Sequence, residues 1–405
     1  MTTKPPARNR FGGWKGLSAK SSGYFRVERI ADRWWLIDPD GNGFISIGLN
    51  HLSSFALRAP EHIETFLAKY RNEEGWIRNG LVPDLQKWGF NTIGWTQEIA
   101  FRYAPHDPKK MADGIDPRRG WGERFALVHD RAWEHERYVW AGMPYCHTLN
   151  FLNAAYYFDA IPLASDFAPQ FPDVFDPAFE DFCDWLARTQ CSAMRDDPNL
   201  VGYFYSDIPD WNGDVHSNHW LSGFSGTPGE REDRLHRIAS RYYEVCHAAI
   251  RRYDKNHLLL GDRYLGQRRV PGSVLAAMHK TVDVLSVQFS LDFDAERPVL
   301  ERMCAVTGKP LLMADAVMPA RYCTPPTEHA RGLAYQRYIR EALAHPSVVG
   351  VHFCGAYIRA EPRGWGVKSP DDKPFTDLTS AFEQIHSSIY EIGALSSQIP
   401  TKRSK

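Results

Sequence analysis

Continuous runs of six to nine mostly apolar residues recur along the chain, separated by loops and by stretches with helical periodicity. Eight of these runs read as buried strands: FISIGLN (44–50), NTIGWT (91–96), MPYCHTLNF (143–151), VGYFYSD (201–207), HLLLGDRY (257–264), VDVLSVQF (282–289), PLLMADA (310–316) and VVGVHFCGA (348–356). Runs without polar alternation are what parallel strands require when both faces are covered. Helical patterns fill most of the intervals. Pro83 to Trp88 reads as a short helix. Asp176 and Pro177 supply an N-cap and a first-turn proline to the helix that follows. Residues 229–253 place Leu235, Ile238, Tyr242, Val245 and Ala249 on one face. Two more helices are expected over 327–344 and 375–391.

Eight strands alternating with helices predict an α/β fold, a closed (β/α)8 TIM barrel. An open doubly wound sheet is the alternative, but no GxGxxG or Walker sequence follows any of the strands. Ahead of the barrel, FRVERIADRWWLID turns at Ala31-Asp32 and reads as a β-hairpin, a lid preceding the main fold. The connection after the second strand and the aromatic-rich loop at 208–228 exceed ordinary lengths, so long loops are expected over the C-terminal face. Residues 1–23 read as a mobile basic tail, 24–395 as one barrel domain and 396–405 as a second mobile tail.

Composition narrows the function classes. A net charge of −1 gives no electrostatic footprint for nucleic acid or an anionic membrane. No apolar run is long enough to span a bilayer, and the N-terminus lacks a secretory apolar core. Seven scattered cysteines without a CxxC pair fit reduced thiols, hence a cytoplasmic protein. Thirteen tryptophans suit a surface that stacks sugar rings, although large α/β cores bury many aromatics too.

In such a barrel, chemistry sits at the C-terminal strand ends. Those positions hold Asn50, His51, Trp95, His147, Asn150, Asp207, Asp262, Arg263, Gln288, Asp315 and His352. Asp207 and Asp315 stand out as a catalytic pair, since glycoside hydrolysis needs two carboxyl groups flanking the bond. Their structural alternative is a helix cap or an ion pair with Arg263. HxH, HExxH and GxSxG are all absent, so no metal, no cofactor and no serine nucleophile are expected. His216, His219 and Trp220 read as cleft-side loop residues.

The phrases WWLIDPDGNGFISIGLN, KWGFNTIGW, DDPNLVGYFYSD with Trp211, LLLGDRY, VDVLSVQF, KPLLMADA and VVGVHFCGAY occur in barrel order. Together they resemble the clan A glycoside hydrolases, in particular the β-agarase-like branch, over about residues 25–390. The resemblance implies a retaining mechanism with two glutamates, one following an asparagine at the end of strand four and one ending strand seven. Asp207 falls at that asparagine, Ile208 at the acid/base glutamate and Asp315 at the nucleophile. The nucleophile position is therefore shortened by a methylene and the acid/base position is apolar. Asp207 or Asp210 is the candidate proton donor, and the shortened side chains favour a wider, inverting gap.

The resemblance further implies sugar contacts from Asn50 and His51, and a site floor from His352. Trp365 closes the cleft, Gln288 and Phe289 lie beside the nucleophile, and Trp95, His147 and Trp211 line the site. Arg263 reads as a partner for Asp315 or as a binder of an acidic sugar. The implied partner is an oligosaccharide. A catalytically silent sugar-binding barrel and a lyase-type enzyme acting on an acidic sugar are the competing readings.

Overall fold

The computed structural model describes residues 7–97, 99–103, 125–129, 132–154, 171–209, 211, 225–266, 269–290, 292–316, 327–359 and 366–395. A four-stranded antiparallel sheet comes first, from β1 (Trp14–Ser18), β2 (Arg26–Ile30), β3 (Arg33–Ile37) and β4 (Asn42–Phe44), in the order β1-β4-β3-β2. Eight parallel strands then close a barrel: β5 (Ser46–Leu49), β6 (Thr92–Ile93), β9 (Tyr145–Thr148), β10 (Leu200–Asp207), β11 (Leu258–Leu265), β12 (Leu285–Ser290), β13 (Leu311–Ala316) and β14 (Val348–Phe353). All eight fall within a residue of the apolar runs or inside them. A separate two-stranded ribbon, β7 (Ile99–Tyr103) with β8 (Phe125–His129), rises from the long connection between β6 and β9.

Local chemistry fixes the surrounding helices. Asp176 caps Pro177–Met194 by accepting from the Ala178 N–H at 2.9 Å. Pro228–Tyr253 opens with a reciprocal capping box between Thr227 and Glu230, and buries the anticipated face against the barrel. The helical pattern near the C-terminus divides into Thr376–His386 and Ile389–Leu395. Among the described residues no helix is long and apolar enough to cross a membrane.

The N-terminal sheet plugs the mouth of the barrel at the N-terminal ends of its strands. Phe11, Phe25, Leu36 and Phe44 share one apolar cluster with the inward-facing barrel residues Val201, Phe204, Leu258, Leu260, Val284 and Leu312. Arg33 anchors it there. Its guanidinium donates to the carbonyls of Leu343, His345 and Val348 at 2.8, 3.1 and 2.6 Å, where β14 begins. Residues 7–23 are likewise no tail: Trp14 stacks on Tyr390 and tilts against Trp35, which burial of so much aromatic surface favours. Residues 1–6 and 396–405 lie outside the described residues.

Candidate active site

The residue at the centre of the upper barrel is Arg263, and a backbone irregularity points it there. Along β11, Leu258 and Leu260 face inward and Leu259 faces the helices. Strict alternation would turn Asp262 inward next. Instead the pairing with β10 slips between Leu259 and Gly261, and Gly261 adopts φ +64°, which favours glycine. The slip sends Asp262 out to the tyrosine hydroxyls of the covering helix, at 2.8 Å from Tyr242 and 2.6 Å from Tyr243. Arg263 then turns in, fully buried, its guanidinium 3.7 Å above the Trp95 ring.

Arg263 brings the two sequence-predicted carboxylates together. Nη1 donates to Asp207 Oδ1 at 3.2 Å, and Nη2 lies 3.6 Å from Asp315 Oδ2. The two carboxylates therefore face each other across one guanidinium. Gln288 donates from Nε2 to the same Asp207 oxygen and to the Arg263 carbonyl, which locks its amide in place. Asn50 serves Asp315 in the same way: Nδ2 donates to Asp315 Oδ1 at 2.6 Å and to the Ala314 carbonyl at 2.8 Å, while Oδ1 accepts from the Trp95 N–H. Gly94 makes room for this, since a Cβ there would sit 2.1 Å from Asn50 Oδ1. Asp315 is 2% exposed and the Asp207 side chain 12%, so Asp207 is the more accessible of the pair.

Four non-glycine residues just past barrel strands have positive φ: His51 (58°), Asn150 (60°), Ile208 (39°) and Ala356 (47°). For the β-branched Ile208 this is a true outlier, and strain of this kind gathers at functional sites. Its N–H donates to the Arg263 carbonyl at 3.2 Å, so the strained residue ties the end of β10 to β11. His51 stacks on Trp95 and engages the Gln97 carbonyl through Nδ1 at 2.7 Å; a carbonyl only accepts, so Nδ1 carries the proton. Nε2 points to the Cys354 thiol, 3.9 Å away.

Other sequence-predicted residues lie elsewhere. His147 is turned out of the barrel, against Tyr138 on His135–Ala141 (3.2 Å) and Gln190 on Pro177–Met194 (2.6 Å), where burial lowers its pKa to about 4. The lyase reading thereby loses one of its histidines. Trp211 packs among Phe171, Tyr242 and Tyr243. His352 is fully buried and bonds Ser46 Oγ at 2.8 Å; burial, helped by Arg263, lowers its pKa to about 3 and keeps it neutral. It supports the site from inside the barrel and does not form an open floor. Asp210, His216, His219, Trp220 and Trp365 lie outside the described residues, as does the Phe289 side chain. Cys354, read from sequence only as a reduced thiol, sits with His51 and Asp315; its place one residue past β14 was the available signal.

No family profile matches the chain. β-Agarase B of Vibrio sp. (strain JT0107) is 38% identical over 52 residues, which is 13% of this chain and 5% of that protein. Solved structures match far more of it. The agarase AgWH50C superposes with a TM-score of 0.66 at 20% identity, covering 96% of this chain and 67% of that one. An exo-β-agarase gives 0.67 at 17% identity, covering 96% and 69%. The fold is that of the agarase barrels. A more distant barrel, GH5_18 from Streptomyces cattleya in complex with GlcNAc, gives 0.53 at 14% identity over 89% of this chain and 82% of that one.

Proposed function

We propose that this chain is a glycoside hydrolase acting on an agar-type oligosaccharide, with Asp207 and Asp315 as its catalytic pair. The observation that carries the reading is the meeting of these carboxylates, from β10 and β13, at the Arg263 guanidinium. One guanidinium and its two contacts keep them within the roughly 10 Å over which a carboxyl pair can act on one bond. The similarity to agarase structures, and the local match to β-agarase B, supply the substrate class.

In this reading Asp315 is the nucleophile or, with the shorter side chain, the base that activates water. Asp207 protonates the leaving oxygen. Arg263 and Gln288 both donate to Oδ1 of Asp207 and hold its carboxyl in place. Aspartates at both positions leave room for a water, so inversion is the expected outcome. Proton NMR of the first-released anomer decides it; direct release of the retained anomer contradicts inversion.

A second reading is a sugar-binding barrel without turnover. It is favoured by Ile208 at the acid/base position and by the pairing of both carboxylates with one arginine. A panel of agar-derived and other oligosaccharides, tested with wild type and Asp315→Asn, separates the two. Hydrolysis lost by at least about 10³-fold in the variant supports the enzyme. Saturable binding of the same oligosaccharides without turnover supports the binder.

A further inference from the structure

We propose that His51, Asp315 and Cys354 form a binding site for a thiophilic divalent cation such as Zn²⁺, and that filling it withdraws Asp315 from hydrolysis. The three residues end or follow three barrel strands, β5, β13 and β14, and all are buried. One ligand atom from each lies within 4.8 Å of the other two, with 3.9 Å between His51 Nε2 and Cys354 Sγ. A tetrahedral zinc site places its ligand atoms about 3.3–3.8 Å apart, so modest side-chain rotation closes the set.

The surroundings suit a metal. The Gln97 carbonyl at 2.7 Å fixes the proton of His51 on Nδ1 and leaves the Nε2 lone pair directed at the thiol. A ring nitrogen held by a backbone carbonyl is the usual outer support of a metal-binding histidine. Asn50 holds Asp315 from its own side at 2.6 Å. The Arg263 contact to Oδ2, at 3.6 Å, is longer than a hydrogen bond, so a cation does not have to break one there.

Charge agrees with the geometry. Counted at formal charge, Asp207, Asp315 and Arg263 leave one net negative charge in a buried cluster. A dication bound with Cys354 as thiolate brings that balance to zero, and thiolate with imidazole selects zinc-like ions over magnesium or calcium. Three protein ligands leave the fourth tetrahedral position for water or substrate.

The binding half of the proposal is independent of the catalytic reading; the inhibitory half rests on it. Cobalt(II) added to the full-length protein is the probe. One ion per chain is expected, with visible tetrahedral bands and a near-ultraviolet thiolate-to-cobalt band that stoichiometric Zn²⁺ displaces. Cys354→Ser is expected to abolish the thiolate band and weaken binding at least about 100-fold, while Cys304→Ser leaves both unchanged. Zn²⁺ is also expected to raise the melting temperature of wild type and not of Cys354→Ser, which reads folding and binding together. Absence of the thiolate band in wild type, or its survival in Cys354→Ser, overturns the site. With cobalt bound as described, hydrolysis unaffected by Zn²⁺ overturns the inhibitory half alone. A protein that binds cobalt but hydrolyses nothing leaves the site standing and removes the catalytic reading.

Discussion

The two mouths of the barrel each bury an arginine completely, and the two arginines are satisfied in opposite ways. At the N-terminal mouth, Arg33 spends its guanidinium on three main-chain carbonyls and fastens the plug sheet to the start of β14. Desolvation lowers its pKa to about 10, still cationic at neutral pH. At the C-terminal mouth, Arg263 instead faces two carboxylates and an indole ring. Neutral carbonyls around a cation make a fastening. Opposed carboxylates around one, beside four left-handed residues, make a site that can exchange a proton or take up charge. The same residue type thus fastens main chain below and faces carboxylates above, and the difference lies in what its elements bring to it.

Substituting each arginine by Met sharpens the contrast. Arg263→Met strips the shared partner from two buried carboxylates and is expected to cost about 3–5 kcal/mol in urea unfolding, with loss of hydrolysis. Arg33→Met leaves three carbonyls without their donor and is expected to cost about 3 kcal/mol while kcat is retained in the folded fraction. Equal losses of activity in the two variants would break the comparison.

The acid limb of stability tests whether the two ends differ in protonation as well. His352 above and His386 below both have pKa values lowered to about 3, chiefly by burial. The unfolded chain protonates first as pH falls, so this stability is complete above about 6.5 and is lost progressively toward pH 3. His386→Gln is expected to remove about 1.4 kcal/mol per pH unit of that slope in pH-dependent unfolding. Asp262 works the other way: burial raises its pKa to about 7 despite three tyrosine donors, so its contribution falls as pH rises from about 4 to 7. Asp262→Asn is expected to flatten that opposing slope.

The smallest effect concerns strain. Ala31, in the turn of the plug hairpin, has φ 53°, and Ile208 has φ 39°. Asparagine tolerates this region, so Ala31→Asn and Ile208→Asn are each expected to gain about 1 kcal/mol. Only Ile208→Asn is expected to lower kcat, because its backbone positions Asp207 beside Arg263. Unchanged kcat there would detach the strain from the site.

The barrel was legible because β10–β14 are continuous apolar runs and because Asp176 and Pro177 mark a helix start by cap chemistry and fixed φ. Asp207 and Asp315 were legible as acids at strand ends. What the sequence could not convey is parity. Nothing local announces that Gly261 shifts the alternation of β11, sending Asp262 outward and Arg263 inward. His147 was misread for a similar reason, since β9 is four residues long and gives too few alternations to fix a face. Which mouth the hairpin covers could not be read from the sequence, because its docking depends on Arg33 meeting carbonyls some 310 residues away. His51 and Cys354 are 303 residues apart, so no spacing motif could join them.

The most direct test of the catalytic pair is kcat/KM for wild type, Asp207→Asn, Asp315→Asn and the double variant on one agar-type oligosaccharide, with folding verified by thermal melting. Residues acting as one unit are grossly non-additive. The expected result is a loss of at least about 10³-fold in each single variant, with the double variant no slower than the worse single. Near-wild-type turnover in either folded single variant would contradict the pairing of Asp207 and Asp315.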